Sequence, residues 1–148
     1  PRLRQTVIRK GGIVFIADCY NASPESMLCA FSLLKSYRTE RRRRFALLGD
    51  MRELGSEAPA LHRYVGQKLA SFCPDGLITY GELAREIAIG ARLAGMRSDQ
   101  TVGFAEGEEK ELVRHLLSIL EPGDLLLVKA SRAMHAELIL NDLLSAIH

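Results

Sequence analysis

IVFIADCYNASPESM, residues 13–27, carries the strongest structural signal in this chain. It begins with the continuously apolar stretch VFIA (14–17), which is typical of a strand covered on both faces of a sheet. After a short polar loop it reaches Ser23 and Pro24, a pair that suits the N-cap and the first position of a helix. A buried strand that leads through a polar loop into a helix is the first half of a βαβ unit.

The same alternation of strand and helix continues along the chain. FALL (45–48) and LLLV (125–128) are again continuously apolar, so the sheet is predicted to be parallel and covered on both faces. The predicted strands cover residues 4–8, 13–17, 44–48, 76–80, 101–104 and 124–128. The predicted helices cover residues 24–36, 57–71, 81–94, 108–120 and 134–147. This pattern indicates an α/β fold with a sheet of about six strands.

Length and composition indicate one ordinary globular domain over residues 1–148. The chain is 47% hydrophobic and 26% charged with a net charge of +2, values that argue against collagenous, disordered and membrane proteins. No apolar run approaches the ~20 residues that cross a bilayer, and the N-terminal residues lack the apolar core of a signal peptide. Cys19, Cys29 and Cys73 form no CxxC pair and no even disulfide framework, which favours a reducing compartment. A cytoplasmic protein is therefore predicted.

One basic cluster, Arg38 with Arg41 to Arg44, stands out in the charge pattern. It has no interleaved aromatic residues, and it follows a predicted helix. We interpret it as a solvated linker surface and expect no nucleic-acid binding.

The loop after the second predicted strand is the first candidate site. In an open parallel sheet, ligands bind beyond the carboxyl ends of the strands. The Asp18 carboxylate can accept hydrogen bonds from a ribose diol, and the following helix start favours an anion, with Tyr20, Asn21 and Ser23 in the same loop. The alternative is structural: Ser23 caps the helix, while Asp18 and Asn21 close an Asx turn. The residues alone leave both interpretations open.

A second candidate site lies in GDLLLVKASRAMHAE, residues 123–137. Lys129, Ser131 and Arg132 follow a buried strand and precede a helix. Two cations and a hydroxyl beside a helix N-terminus suit a carboxylate or a phosphate. The two cations could equally be solvated charges at the rim.

Other segments point away from metal binding and covalent catalysis. In LLGDMRELGSEAPALH (47–62), the spacing of Glu53, Glu57 and His62 matches no HExxH motif or compact carboxylate cluster, so we expect no metal site, and His62 is interpreted as an ordering group. The chain contains no GxxxxGK[ST] phosphate loop, no GxGxxG and no nucleophile elbow. We therefore predict no catalytic residue within these 148 positions.

Three motifs in this order resemble the C-terminal domain of the Mur ligases, in the branch that adds D-alanyl-D-alanine. They are ADCYNASPESM (17–27), LGDMRELG (48–55) with His62 after it, and the segment that runs from Gly123-Asp124 through KASR (129–132) to Glu137. Three residues depart from the pattern of the branch: Ala17 replaces an aspartate, Ser23 an asparagine, and Ala130 a glycine. Glycine at position 130 would allow a closer approach of backbone or ligand than alanine.

The resemblance implies a Rossmann-like, three-layer α/β/α domain with a mostly parallel sheet. It implies that Asp18, Tyr20, Asn21 and Ser23 line part of an ATP site. Lys129, Ser131 and Arg132 would hold the carboxylate of D-alanyl-D-alanine. The complete enzyme, by the same resemblance a monomer, would use ATP and Mg²⁺. Separate domains would hold the ATP phosphates, the magnesium and the UDP-N-acetylmuramoyl-tripeptide, so this domain alone would be inactive.

Two alternatives remain at the level of the sequence. One is another amide ligase of the superfamily. The type that adds meso-diaminopimelate would carry a DNPR-like segment where this chain has Tyr80-Gly81-Glu82-Leu83, which argues against that type. The other is a binding module that keeps the fold without ligation, an alternative left open by the departures at Ala17, Ser23 and Ala130.

Overall fold

Six strands form one sheet in the part of the chain that the structure, a computed structural model, describes: residues 5–36 and 43–148. The strands are β1 (Thr6–Lys10), β2 (Ile13–Asp18), β3 (Arg44–Gly49), β4 (Gly76–Tyr80), β5 (Thr101–Phe104) and β6 (Leu125–Lys129). The helices are α1 (Pro24–Ser36), α2 (Ala58–Ala70), α3 (Ala84–Leu93), α4 (Glu109–Ile119) and α5 (Ala136–Ala146).

The sheet is parallel except at one edge. Its strand order is β1-β2-β6-β3-β4-β5, and only the pair of β1 and β2 is antiparallel. Gly11 and Gly12 join this pair with φ angles of 61° and 78°, a conformation that suits glycine in a two-residue hairpin turn. The mostly parallel sheet predicted from the apolar runs is confirmed.

Helices cover both faces of the sheet, which confirms the three-layer prediction. One apolar cluster packs α1, α2 and α3 on the sheet and includes Phe31, Val65 and Ile87. A second cluster packs α4 and α5 on the opposite face and includes Leu112 and Leu140. Because side chains alternate along each central strand, β3, β4 and β6 contribute residues to both clusters, as their continuously apolar sequences require.

Several element boundaries differ from the sequence predictions by one to three residues, and three of these differences have a clear local reason. β1 runs to Lys10 because an edge strand tolerates charged side chains. α3 begins at Ala84 rather than at residue 81, since Gly81 has a φ of 114° and the Ala84 N–H donates to Asp50 Oδ1 at 2.7 Å. α5 begins at Ala136 because His135, with a φ of 54°, separates it from a short 3₁₀ turn.

The structure corrects the interpretation of the basic cluster in part. Arg38, Arg41 and Arg42 lie outside the described residues. Arg43, however, is engaged rather than solvated: its Nε and Nη2 donate to the two carboxylate oxygens of buried Asp124 at 3.0 and 2.6 Å. Arg44 Nη1 donates to the Leu34 carbonyl at 3.0 Å. These two arginines tie β3 to the strands and helices beside it.

The three cysteines are unpaired, and the described α-helices are 10–13 residues long. All three cysteines are free thiols; Cys19 is buried, and Cys29 and Cys73 are exposed. No helix in residues 5–36 or 43–148 combines the length and the apolar character needed to cross a bilayer.

Candidate functional site

Three loops meet at the carboxyl ends of β2, β6 and β3 because these strands are adjacent and parallel. Asp18 lies beside Lys129, and Lys129 lies beside Leu48 in the sheet register. The loops enclose an open cleft of about 540 Å³. It is lined by Tyr20, Asn21, Ala22, Arg52, Glu53, Ser131, Arg132, Ala133 and His135. We call it the carboxyl-edge cleft.

An ion pair between Asp18 and Lys129 lies beneath this cleft. Lys129 Nζ donates to Asp18 Oδ2 at 2.8 Å and to the Asn21 carbonyl at 2.9 Å. The lysine side chain is 1% exposed and the aspartate 14%, so each charge would be costly without the other. Lys129 therefore supports the first loop from below, and it is not a solvated rim charge. Its direct contact with a substrate carboxylate stays a prediction.

The first loop has the turn and the cap that the structural alternative described. Asp18 Oδ1 accepts the backbone N–H groups of Tyr20 and Asn21 at 3.3 and 3.4 Å. Ser23 Oγ accepts the Ser26 N–H at 3.1 Å, and Ser26 Oγ accepts the Ser23 N–H at 2.8 Å. This reciprocal pair caps α1 in the manner of a capping box, with serine in place of glutamate. These hydrogen bonds support the loop conformation without a ligand, and its contact with a nucleotide stays a prediction.

Ser131 connects the other two loops. Its Oγ accepts the Arg52 N–H at 2.8 Å, and its own N–H donates to the Asp50 carbonyl at 3.1 Å. The hydroxyl also lies 3.5 Å from the Ala22 carbonyl. Because Ser131 is 8% exposed, its main contribution in this structure is to hold the cleft walls together.

Arg132 is the exposed cation of the predicted set. Its guanidinium carbon lies 5.5 Å from the centre of the Tyr20 ring, within the range of a cation–π contact. It makes no ion pair with any carboxylate in residues 5–36 and 43–148. The planar, positively charged guanidinium of Arg132 thus lies near the Tyr20 ring in the wall of the cleft.

His62 is an ordering group, as the sequence indicated. It is fully buried; Nε2 accepts the Met51 N–H at 2.9 Å, and Nδ1 lies 2.6 Å from the Ala58 carbonyl, which requires the proton on Nδ1. Burial is the main reason that the pKa of His62 is lowered, so the ring is neutral at pH 7. This contact fixes the loop that carries Arg52 and Glu53.

A family model described as "Mur ligase, glutamate ligase domain" matches residues 3–132. The chain belongs to the Mur ligase family. Two curated relatives are UDP-N-acetylmuramoyl-tripeptide–D-alanyl-D-alanine ligases, from Synechocystis and from Bacillus subtilis. They are 37% and 36% identical to this Mur ligase domain over 90% and 91% of its length. The chain spans 28% and 29% of their lengths.

Solved structures agree with this assignment. The MurF ligase of Thermotoga maritima, in complex with ADP, superposes with a TM-score of 0.80 at 26% identity, covering 98% of this chain and 31% of that one. The MurF of Acinetobacter baumannii gives a TM-score of 0.82 at 27% identity, again over 98% and 31% of the two chains. The Rossmann-like α/β domain expected from the resemblance is confirmed.

The departure at Ala130 fits this Mur ligase domain without backbone strain. Ala130 is buried, and its φ angle is not positive. A Cβ added at Gly49 would lie 2.7 Å from the Ala130 Cβ, so the missing side chain at position 49 leaves room for the methyl group at position 130. An alanine in place of the glycine that the resemblance implies is thus accommodated at position 130 by the neighbouring strand.

Arg52, Glu53 and His135 line the cleft but were not among the predicted site residues. Arg52 and Glu53 belong to the quoted LGDMRELG motif and lie in the loop after β3, so their position could have indicated the cleft. His135 offered no such signal, because the sequence placed it inside a helix. Its backbone has a φ of 54°, a conformation that local sequence does not reveal.

Neither a metal cluster nor a reactive thiol is found at the cleft. No group of three His, Cys, Asp or Glu side chains in the described residues is arranged to hold a metal ion. Cys19, the first residue of the loop after β2, is buried, and burial, followed by the nearby Glu137 and Asp18, raises the pKa of its thiol to about 12. The thiol is thus protonated at neutral pH and is a poor nucleophile.

Proposed function

We propose that this chain is the C-terminal domain of an ATP-dependent ligase that joins D-alanyl-D-alanine to UDP-N-acetylmuramoyl-tripeptide in peptidoglycan synthesis. The curated relatives carry this activity in their names, and the chain covers 28% and 29% of their lengths. One observation carries the proposal: Arg132, stacked on Tyr20, presents a cation to the carboxyl-edge cleft, where a dipeptide carboxylate can bind.

The cleft suits a small zwitterion that must be gripped at one end. A guanidinium binds a carboxylate through two parallel hydrogen bonds, and the Tyr20 ring limits the directions in which Arg132 can point. If the carboxylate is held there, the amino group is left free to attack an activated acyl group. Orientation of this kind lowers the barrier as well as increasing affinity. Ser131 and Lys129 contribute by holding the walls in place.

ATP would bind beside the first loop, next to the carboxyl-edge cleft. A groove of about 390 Å³ is lined by Gln5, Asp18, Tyr20 and Asn21. A carboxylate offers about four acceptor sites. In Asp18 three of these are used, by Lys129, Tyr20 and Asn21, which leaves one for a ribose hydroxyl. ATP supplies the phosphoryl group that activates the tripeptide carboxylate. The phosphate loop and the magnesium ligands of that reaction would belong to another domain.

Kinetics of the ligase that contains this domain test the assignment. Arg132→Gln removes the charge while keeping a side chain of similar length, and Arg114→Gln, an exposed arginine on α4, is the matched control. We expect Arg132→Gln to raise the KM for D-alanyl-D-alanine about tenfold or more, since it removes charge-assisted hydrogen bonds. The KM for ATP and the control variant should not change.

An unchanged KM for the dipeptide would reject the carboxylate role. A rise confined to the KM for ATP would instead assign Arg132 to the ATP phosphates. Either result would be distinguishable from general damage, because the Arg114→Gln enzyme reports on charge removal elsewhere in the domain.

A further inference from the structure

A second cleft lies between α3 and the outer strand β5. It encloses about 150 Å³ and shares no residue with the carboxyl-edge cleft or with the groove beside Asp18. Its lining combines two arginines and two threonines with small apolar side chains. The lining residues are Thr79, Arg85, Ala88, Ile89, Arg92, Thr101, Val102 and Gly103. We call it the β5 edge cleft.

A buried hydroxyl without a partner lies in this cleft. Thr79 is 1% exposed, and its Oγ1 makes no hydrogen bond to any described residue. Leaving a buried hydroxyl without a partner costs about 1–3 kcal/mol, so such groups are rare unless something else binds them. Gly103 pairs with Thr79 across the sheet, and a Cβ at position 103 would lie only 2.9 Å from this hydroxyl. Glycine at position 103 therefore avoids a close contact with this buried hydroxyl on the side of β5.

Two guanidinium groups line the same cleft. Arg85 has no side-chain hydrogen bond or ion pair within residues 5–36 and 43–148. Arg92 Nη1 donates to Thr101 Oγ1 at 3.0 Å, which aligns its guanidinium with the start of β5 and leaves its other N–H groups for a ligand. Glu86, the acidic residue of the first turn of α3, pairs with Arg63 at 3.3 Å instead.

We propose that the β5 edge cleft binds a compact oxyanion, a phosphate or carboxylate group, through Arg85, Arg92 and the Thr79 hydroxyl. Guanidinium groups bind both kinds of oxyanion with planar pairs of hydrogen bonds, and a threonine hydroxyl can donate to either. The cleft volume of about 150 Å³ suits a small group such as a single phosphate or a short carboxylic acid. Ala88 and Ile89 form an apolar wall that can contact the part of the ligand to which the anionic group is attached.

NMR titration of the 148-residue chain tests this site directly. Backbone amide shifts are followed while inorganic phosphate, or separately propionate, is added at constant ionic strength. Three variants are compared: Thr79→Val, which replaces the hydroxyl with a methyl group; Arg85→Gln; and Arg97→Gln, an exposed control arginine that pairs with Asp99 outside the cleft. Saturable shifts are expected at residues 101–104 and along α3.

Thr79→Val and Arg85→Gln should each weaken the binding about tenfold, the effect of losing a hydrogen bond to an anion, whereas Arg97→Gln should leave it unchanged. Saturation by phosphate alone would identify a phosphate site, and saturation by both probes a general oxyanion site. The proposal would be overturned by chemical shifts that do not saturate or that appear only at the carboxyl-edge cleft. It would also be overturned if Arg97→Gln weakened the binding as much as Thr79→Val and Arg85→Gln. Arg85 is exposed, so its variant remains informative even if Thr79→Val does not fold.

Discussion

Asp18 and Lys129 illustrate how buried charge organises the candidate site. An ion pair removed from water gains little net stability, but a single charge left in the same place is strongly unfavourable. Here the pair joins the end of β2 to the end of β6 and also holds the Asn21 carbonyl. As a consequence, the ion pair fixes the position of the loop that carries Tyr20 with respect to Arg132.

A double-mutant cycle measures this coupling. Lys129→Met should lower the free energy of unfolding by about 3 kcal/mol, because the Asp18 carboxylate loses its partner while still mostly buried. Adding Asp18→Asn removes the stranded charge and should restore part of that stability. Urea unfolding of the two single variants and the double variant gives the coupling energy, with Lys110→Met on the exposed face of α4 as the control. Strictly additive effects would show that the two side chains do not interact.

His62 makes the stability of the domain depend on pH. The pKa of the folded histidine is lowered, mainly by burial, whereas the unfolded chain binds a proton near pH 6.5. Stability is therefore fully present above about pH 6.5 and declines as the pH falls below it, by up to about 1.4 kcal/mol for each pH unit.

Urea unfolding at pH 7.5 and pH 5.5 checks this expectation. The decline should shrink in His62→Gln, which remains neutral at both values, and should persist in His115→Gln, which removes a different, partly exposed histidine. An identical pH dependence in the parent and in His62→Gln would contradict the assignment.

The central strands are the elements that the sequence predicts best. VFIA, FALL and LLLV are apolar on both faces, and each lies in the middle of the sheet, where helices pack on both sides. The helix ends were harder to predict, because they depend on contacts between distant residues: α3 begins where Asp50, 34 positions earlier, accepts its first N–H. The burial of Lys129 could not be predicted either, since a lysine at a strand end is more often exposed.

The contact between β3 and the residue after β6 gives a prediction for these two elements. Gly49→Ala should destabilise the domain by about 1–3 kcal/mol, because the added methyl group would meet the Ala130 Cβ at 2.7 Å and the Tyr80 carbonyl at 3.3 Å. Ala130→Gly in the same molecule should recover much of that loss. Thermal unfolding of both single variants and the double variant measures the loss of stability and its recovery. Failure of Ala130→Gly to improve on Gly49→Ala would show that the tight packing lies against Tyr80 instead.

For the molecule as a whole, the proposed function separates recognition from activation. The described residues supply a carboxyl-edge cleft with a fixed loop and an exposed arginine. The sequence contains no GxxxxGK[ST] loop to hold the β- and γ-phosphates. We therefore expect that the domain binds and orients a substrate, while phosphoryl transfer depends on groups contributed by the rest of a larger ligase.

Amide formation tests the central claim most directly. The complete ligase that carries this domain is incubated with ATP, Mg²⁺, UDP-N-acetylmuramoyl-tripeptide and D-alanyl-D-alanine, and the product is identified by mass spectrometry while released phosphate is measured. The 148-residue chain alone is the control. We predict one UDP-muramoyl-pentapeptide for each phosphate released by the complete ligase, and neither product nor phosphate from the isolated domain. A complete ligase that makes no pentapeptide, or an isolated domain that hydrolyses ATP, would contradict the account.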